Sequence, residues 1–247
     1  RGAIIAPDNK VFSYIKDKPQ MPTGKLWDQA VAHWQQLASD ADAKYDKTIE
    51  LNCQSLEPKV TWGISPDQAL SINEQIPDPQ HETEAVKRLA MQKALAYMDL
   101  KPNTPLRTIK ITHAFIGSCT NGRIEDLRSA ASILKDRKIA PHVRGMVVPG
   151  STQVRLQAER EGLADIFMKA GFEWRQSGCS MCLAMNEDVL APGDCCASST
   201  NRNFPGRQGA GARTHLMSPA MVAAAAIAGH LEDVRIFMWM EESYANI

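Results

Sequence analysis

"RTIKITHAFIGSCTNGRIEDLRSAASILKD", residues 107–136, decides the fold. It opens on an apolar, β-branched run that predicts a strand, breaks at Gly117–Gly122 in a glycine-serine-asparagine turn, and continues as a helix. The same rhythm returns at once. "HVRGMVV" (142–148) predicts a strand, "PGS" (149–151) a turn and "TQVRLQAEREG" (152–162) a helix. After "LADIFMKAG" (163–171), a short "FEWR" strand (172–175) runs into the loop containing "SGCSMCLAMN" (177–186). Strand, loop and helix repeated in this way mark a parallel α/β sheet, whose ligand sites gather at the carboxyl ends of the strands. Cys119 and the Cys179/Cys182 pair fall in such loops.

Upstream the pattern is less regular. "TGKLWDQAVAHWQQLA" (23–38) predicts an amphipathic helix behind a Thr23 cap, with Trp27, Val31, Trp34 and Leu37 as a core stripe. "KTIELNCQ" (47–54) alternates like a half-buried strand, and Pro58, Gly63 and Pro66 then break the pattern. These breakers place a boundary between residues 1–66 and 67–247. "ETEAVKRLAMQKALAYM" (82–98) predicts a helix with Val86, Leu89, Ala90, Ala94, Tyr97 and Met98 near one face. "LMSPAMVAAAAIAG" (216–229) is shorter than the roughly 20 apolar residues of a bilayer span and predicts a buried helix.

Composition excludes several classes of function. Lys+Arg and Asp+Glu both number 28, so no charge excess points to nucleic acid or an anionic membrane. "RGAIIAPDNK" lacks an initiator Met and any signal-peptide layout, and it reads as a start in mid-protein. Six cysteines in 247 residues are too sparse for a disulfide framework, so reduced thiols and a cytoplasmic setting are expected.

A C-x-x-C pair in a reduced compartment is compatible with zinc, an iron–sulfur cluster, a redox couple or no metal at all. Adding Cys195 or Cys196 to Cys119, Cys179 and Cys182 would make a closed structural site. The three loop cysteines alone would leave a [4Fe–4S] cube with one iron open to a substrate oxygen, a Lewis acid instead of an electron carrier. Cys53 reads as a small hydrophobe. Just downstream, Arg202 and Arg207 lie in "SSTNRNFPGRQGAGARTH" (198–215), a polar loop whose guanidinium forks could hold carboxylates. His113, His142 and His33 read as structural; His215, after the arginine loop, is the one histidine to watch.

"GSCTNGRIEDLRSAA", "GCSMCLAMN", "NRNFPGRQG" and "THLMSPAMVAAAAIAG", in this order, resemble the aconitase superfamily, most closely its isopropylmalate dehydratase branch. The resemblance implies an aconitase-like three-layer α/β/α domain with a parallel-rich sheet over 67–247, preceded in 1–66 by the end of another α/β domain. It implies a [4Fe–4S] cluster on Cys119, Cys179 and Cys182, substrate carboxylate on Arg202 and Arg207, and Asn201 beside the cluster. The implied activity is a hydro-lyase of leucine biosynthesis that interconverts 2- and 3-isopropylmalate through isopropylmaleate.

In that superfamily a serine on a swivel domain is the base; in this branch it lies on a separate small subunit, the implied partner. Histidine and aspartate residues of the family's first domain have no counterpart here, so this chain by itself is expected to be inactive. Cys195 stands where a polar residue is expected, and Trp239 in "IFMWMEESYANI" (236–247) suggests a docking strip or a folded-back end. Citrate- or homocitrate-type hydration and a non-catalytic zinc module are the alternatives; "CSMCLAMN" favours the isopropylmalate branch.

Overall fold

The computed structural model describes residues 3–238, and the suggested docking strip at Trp239 lies outside the described residues. The chain divides into two compact units, Arg1–Gln54 and Ser55–Ile247.

In the first unit, Asp8 caps α1 (Asn9–Ile15) by accepting a hydrogen bond from Val11 N at 3.0 Å. Helix α2 (Lys25–Gln35) enters through Gly24, at φ 56°, and not through a Thr23 cap. Its expected core stripe is at most half-buried, since a unit this short has little chain with which to cover it. Trp27 meets Trp34 edge-on at 5.9 Å, and Trp34 stacks on Phe12 at 6.2 Å. Residues 47–52 form no strand, and Ile49 and Leu51 are exposed: alternation yields a strand only where a neighbouring strand takes up the backbone groups.

The second unit begins with an antiparallel hairpin of β1 (Lys59–Thr61) and β2 (Ala69–Ser71), so residues 66 and 67 both lie within the hairpin. Helix α3 (Ala85–Met98) buries Ala94, Leu95 and Met98, whereas Val86 and Leu89 at its start are exposed. Its apolar face is therefore confined to the last turns.

Five parallel strands then form the expected α/β sheet: β3 (His113–Gly117), β4 (Arg144–Val148), β5 (Phe172–Trp174), β6 (Cys195–Ser198) and β7 (Arg213–Leu216), in the order β5-β4-β3-β6-β7. Strand β3 starts at His113 and not at Arg107, because Leu106–Thr108 closes a 3-10 turn first. Between the strands run α4 (Ile124–Leu134), α5 (Thr152–Arg160) and α6 (Leu163–Ala170), followed after β7 by α7 (Pro219–Ala228). Ser151 and Ser218 cap α5 and α7 by accepting from Val154 N and Met221 N.

Helices α4, α6 and α7 pack together with Ala114, Ile116, Val147 and Ala197 of the sheet in one core. The alanines of α7 allow the close approach to α4, and each large side chain buried there contributes about 1.5–3 kcal/mol. The intervening residues Phe115, Met146, Val148 and Cys196 point the other way and pack with Met181, Cys182, Leu190 and Ala212. The layer against that second face thus includes the irregular segment that carries the cysteine pair. Among the described residues, no helix is long and apolar enough to cross a membrane.

Candidate active site

The chain leaves β3 for β4 and β5 on one side and returns to β6 on the other, so the sheet's switch point lies between β3 and β6. Loops diverging there open a crevice above the carboxyl ends of the strands. The loop after β3 requires both of its glycines. A Cβ on Gly117, at φ 97°, would lie 2.2 Å from Val148 O, and one on Gly122 would lie 2.3 Å from Ser118 O. Ser118 N donates to Val148 O at 2.7 Å and Gly150 N to Gly122 O at 2.8 Å, which joins this loop to the one after β4. Gly117 N donates to Ser199 Oγ at 2.9 Å and Asn121 Nδ2 to Ser199 O at 2.5 Å, which joins it to the loop after β6. Cys119 is left exposed at the tip of this framework.

Cys179 is exposed in the loop after β5, while Cys182, on the 3-10 turn Met181–Leu183, is buried against Phe115, Met146 and Val148. All three cysteines therefore belong to the same edge of the sheet. They are not gathered: among the described residues, no three His, Cys, Asp or Glu side chains stand close enough to hold one metal ion. The reason is topological. Cys119 follows β3 and Cys179 follows β5, with β4 between, and two strand spacings amount to about 10 Å.

In donor chemistry, three soft thiols without a fourth partner suit an iron–sulfur cube. Ser177 Oγ, in the same loop as the pair, is buried and has no hydrogen-bond partner among the described residues. Cys195 and Cys196 differ, because both lie within strand β6 and not in a loop beyond a strand end. Burial pushes the Cys195 thiol up to about 12 and the Cys196 thiol well above its ordinary value, so both stay protonated and are poor ligands. Cys53 is exposed in the first unit.

The loop after β6 carries Asn201, Arg202 and Arg207. Its interior residues anchor it. Buried Asn203 donates through Nδ2 to Gly63 O at 2.7 Å, with Thr61 Oγ1 at 3.3 Å and Thr214 O at 3.4 Å. Gln208, also buried, accepts from Thr214 Oγ1 at 2.7 Å. Gly206 N donates to the Tyr97 hydroxyl at 2.8 Å, and that hydroxyl donates to Ala212 O at 2.7 Å.

With these contacts holding the backbone, the two arginines are not required to brace it. Arg202 is exposed and, among the described residues, its side chain donates to Asn201 O at 2.8 Å. The Arg207 guanidinium lies over the Phe204 ring at 5.3 Å, and its buried Nε has no hydrogen-bond partner among the described residues. Neither forms an ion pair among the described residues, whereas most of the other arginines of this unit do. A cleft of about 460 Å³ on this edge is lined in part by Asn121, Thr200, Thr61 and Ser218. Asp126, its carboxylate, is tied to Arg123 at 3.1 Å.

Comparison with known proteins places the chain in a family. The aconitase family (aconitate hydratase) matches residues 1–229. The chain belongs to the aconitase family. Among curated aconitase-family relatives, it is 73% identical over 235 residues to "3-isopropylmalate dehydratase large subunit 2" of Salmonella typhimurium, covering 95% of this chain and 50% of the relative. The Salmonella choleraesuis protein of the same name is 72% identical over 235 residues, with the same coverage. "3-isopropylmalate dehydratase large subunit 1" of Mannheimia succiniciproducens is 67% identical over 238 residues, or 96% of this chain and 50% of the relative. The chain thus spans about half the length of the curated relatives it matches.

Within this aconitase-family unit His215 is a core residue. It is buried, with Nδ1 2.7 Å from Thr61 O, and burial lowers its pKa to about 4. His113 is also held low by burial, and His142 lies against Gly229 O at 3.4 Å. Sequence reasoning missed the residues that hold the loops: Ser199, Tyr97, Asn203 and Gln208. Asn203 and Gln208 stand inside the motif "NRNFPGRQG", but nothing local distinguishes an inward-facing polar residue from an outward-facing one.

Proposed function

We propose that this chain is part of the large subunit of a 3-isopropylmalate dehydratase, interconverting 2- and 3-isopropylmalate in leucine biosynthesis in the cytoplasm, together with a small swivel-domain subunit. In this reading residues 1–66 are the end of a preceding aconitase-type domain and 67–247 the cluster-binding domain. Cys119, Cys179 and Cys182 would hold a [4Fe–4S] cluster at the carboxyl ends of the strands. When bound, such a cluster supplies a Lewis-acidic iron able to accept a hydroxyl oxygen. Arg202 and Arg207 hold the substrate's carboxylates and neutralise charge that grows on them as the α-proton leaves. Asn201, next to Arg202, lies at the cluster.

The observation that carries this reading is the pair of arginines without carboxylate partners among the described residues, in a loop anchored by side chains other than theirs, on the edge that also bears three cysteines. The named relatives support the isopropylmalate branch over citrate- or homocitrate-type hydration. Burial of both Cys195 and Cys196 as neutral thiols speaks against a closed zinc site.

The test is anaerobic reconstitution with iron and sulfide, metal analysis, then isopropylmaleate hydration followed by its alkene absorbance. The chain should bind about four irons, the complement of a [4Fe–4S] cube. It should turn over only as part of a full-length large subunit with its small subunit, because general acid–base groups each contribute about 10²–10⁴-fold. A colourless protein with one zinc, or equal hydration by this chain alone, would overturn the assignment.

A further inference from the structure

The segment joining the cysteine pair to β6 is closed on itself by one carboxylate. Asp188 accepts from Ser180 Oγ at 2.6 Å through Oδ2 and from Arg175 Nη2 at 3.1 Å through Oδ1. Ser180 stands between Cys179 and Cys182, and Arg175 directly follows β5, so Asp188 links the middle of the C-x-x-C to the end of a strand. Arg175 is held in turn by Glu173 at 2.8 Å, and Glu173 by Arg144 of β4 at 2.6 Å. Ser180 also lies 3.5 Å from Met146 Sδ, on the sheet's second face. Two residues before Asp188, Asn186 Nδ2 donates to the carbonyl of Cys179 at 2.7 Å.

The backbone that returns Asp188 to Ser180 is unfavourable by itself. Ala184, Asn186 and Glu187 have φ of 53°, 56° and 66°, a region that costs residues with a Cβ about 1 kcal/mol or more each. Such turns persist only where surrounding contacts enforce them. The Asp188 side chain is also largely withdrawn from water, at 12% exposure, which a carboxylate tolerates only with partners on its oxygens. Its partners converge on the cysteine pair: one lies between the two thiols and the other at the start of their loop.

We propose that Asp188 is a positioning residue for the cysteine pair, fixing Ser180 and hence the Cys179 and Cys182 thiols at the height of the sheet edge where a cluster would be held. The inference rests on the cluster reading above. Ligand-orienting partners outside the coordination sphere change metal retention by about 10–100-fold when removed.

The experiment uses a full-length large subunit, reconstituted anaerobically with iron and sulfide, and follows the bleaching of its visible absorbance by an iron chelator well below the melting temperature. Asp188→Asn removes the charge that holds Arg175, and Ser180→Ala removes the hydroxyl while leaving the backbone alone. Both should bleach roughly 10–100-fold faster than the unsubstituted protein, and the double variant no faster than the worse single one.

Leu127→Ala, in the helical core, supplies a destabilised reference, and Cys182→Ser a ligand control. Bleaching at the original rate would overturn the proposal, and so would bleaching no faster than Leu127→Ala at a matched distance below melting. Should Asp188→Asn fail to fold, Ser180→Ala alone decides the outcome. A Cys182→Ser protein that stays brown sinks the cluster reading itself; one that is colourless, while the clamp variants retain iron normally, sinks only the role of Asp188.

Discussion

The arginine loop and the cysteine loop occupy the same edge of one sheet, yet the protein holds them differently. The first is fastened to the rest of the fold: Asn203 on Gly63, Gln208 with Thr214, and Gly206 on the Tyr97 hydroxyl. The second is fastened mainly to itself and to the neighbouring strand end, through Asp188 and Asn186, and it includes three residues in left-handed backbone. A loop that grips an organic acid gains from being set in advance, since any ordering left to the moment of binding subtracts from affinity. A loop that supplies thiolates cannot be drawn fully together beforehand, because unmetallated thiolates repel one another and the metal contributes the closing energy.

The largest expected effect tests the cysteine half of this contrast. Serine at Cys119, Cys179 or Cys182 should each abolish the brown absorbance after reconstitution, whereas serine at Cys53, Cys195 or Cys196 should preserve it. Loss on Cys196→Ser with retention on Cys182→Ser would exchange their roles.

Next in size is the arginine half. Arg202→Lys or Arg207→Lys keeps the charge but loses the planar fork, and in the complete enzyme should lower kcat/KM by the equivalent of about 2–4 kcal/mol with little change in melting temperature. An early-melting variant with normal kinetics in its folded fraction would make the arginines part of the scaffold.

A pH titration examines the scaffold under the arginine loop. Burial lowers His215 from 6.5 to about 4, so the folded state favours the neutral ring. That stabilisation is complete above pH 6.5 and is lost as pH falls toward 4, amounting to about 3 kcal/mol, which His215→Gln should remove from the slope. Glu161, held at about 2 by Arg128, loses its contribution only between pH 4.5 and 2, which separates the two effects.

The smallest effect is that of Asn203→Ala. It leaves Gly63 O without its side-chain donor and should cost about 1–3 kcal/mol, read as a lower urea midpoint at unchanged slope. The same substitution should leave iron content intact if the two loops are fastened independently.

Much of the site was legible because its signals are local. The glycines of "GSCTNG" announce a tight turn after an apolar run, and that turn formed where expected because Gly117 and Gly122 leave no room for a Cβ. The strands and helices from β4 to β5 likewise follow from the alternation of apolar runs, turn residues and helical stretches. Strands β6 and β7 were not legible: four residues each, buried among parallel neighbours, they show no alternation, and "CCAS" reads as easily as loop. The apparent strand at 47–54 failed for the converse reason, having alternation without a partner.

By itself, then, the sequence determined which residues could turn, cap, bury or coordinate, since each of those properties depends on a few neighbours along the chain. Tertiary structure alone decided that β6 returns beside β3, which brings Asn121 against Ser199, 78 residues away, and sets the arginine loop at the switch point. It also decided that β4 stands between the strands leading to Cys119 and Cys179, and that His215, the one histidine the sequence singled out to watch, faces Thr61 in the interior. Strand order and side-chain direction depend on pairings between distant segments, and those are selected by the total area and the hydrogen bonds that the whole sheet can satisfy, which no local pattern records.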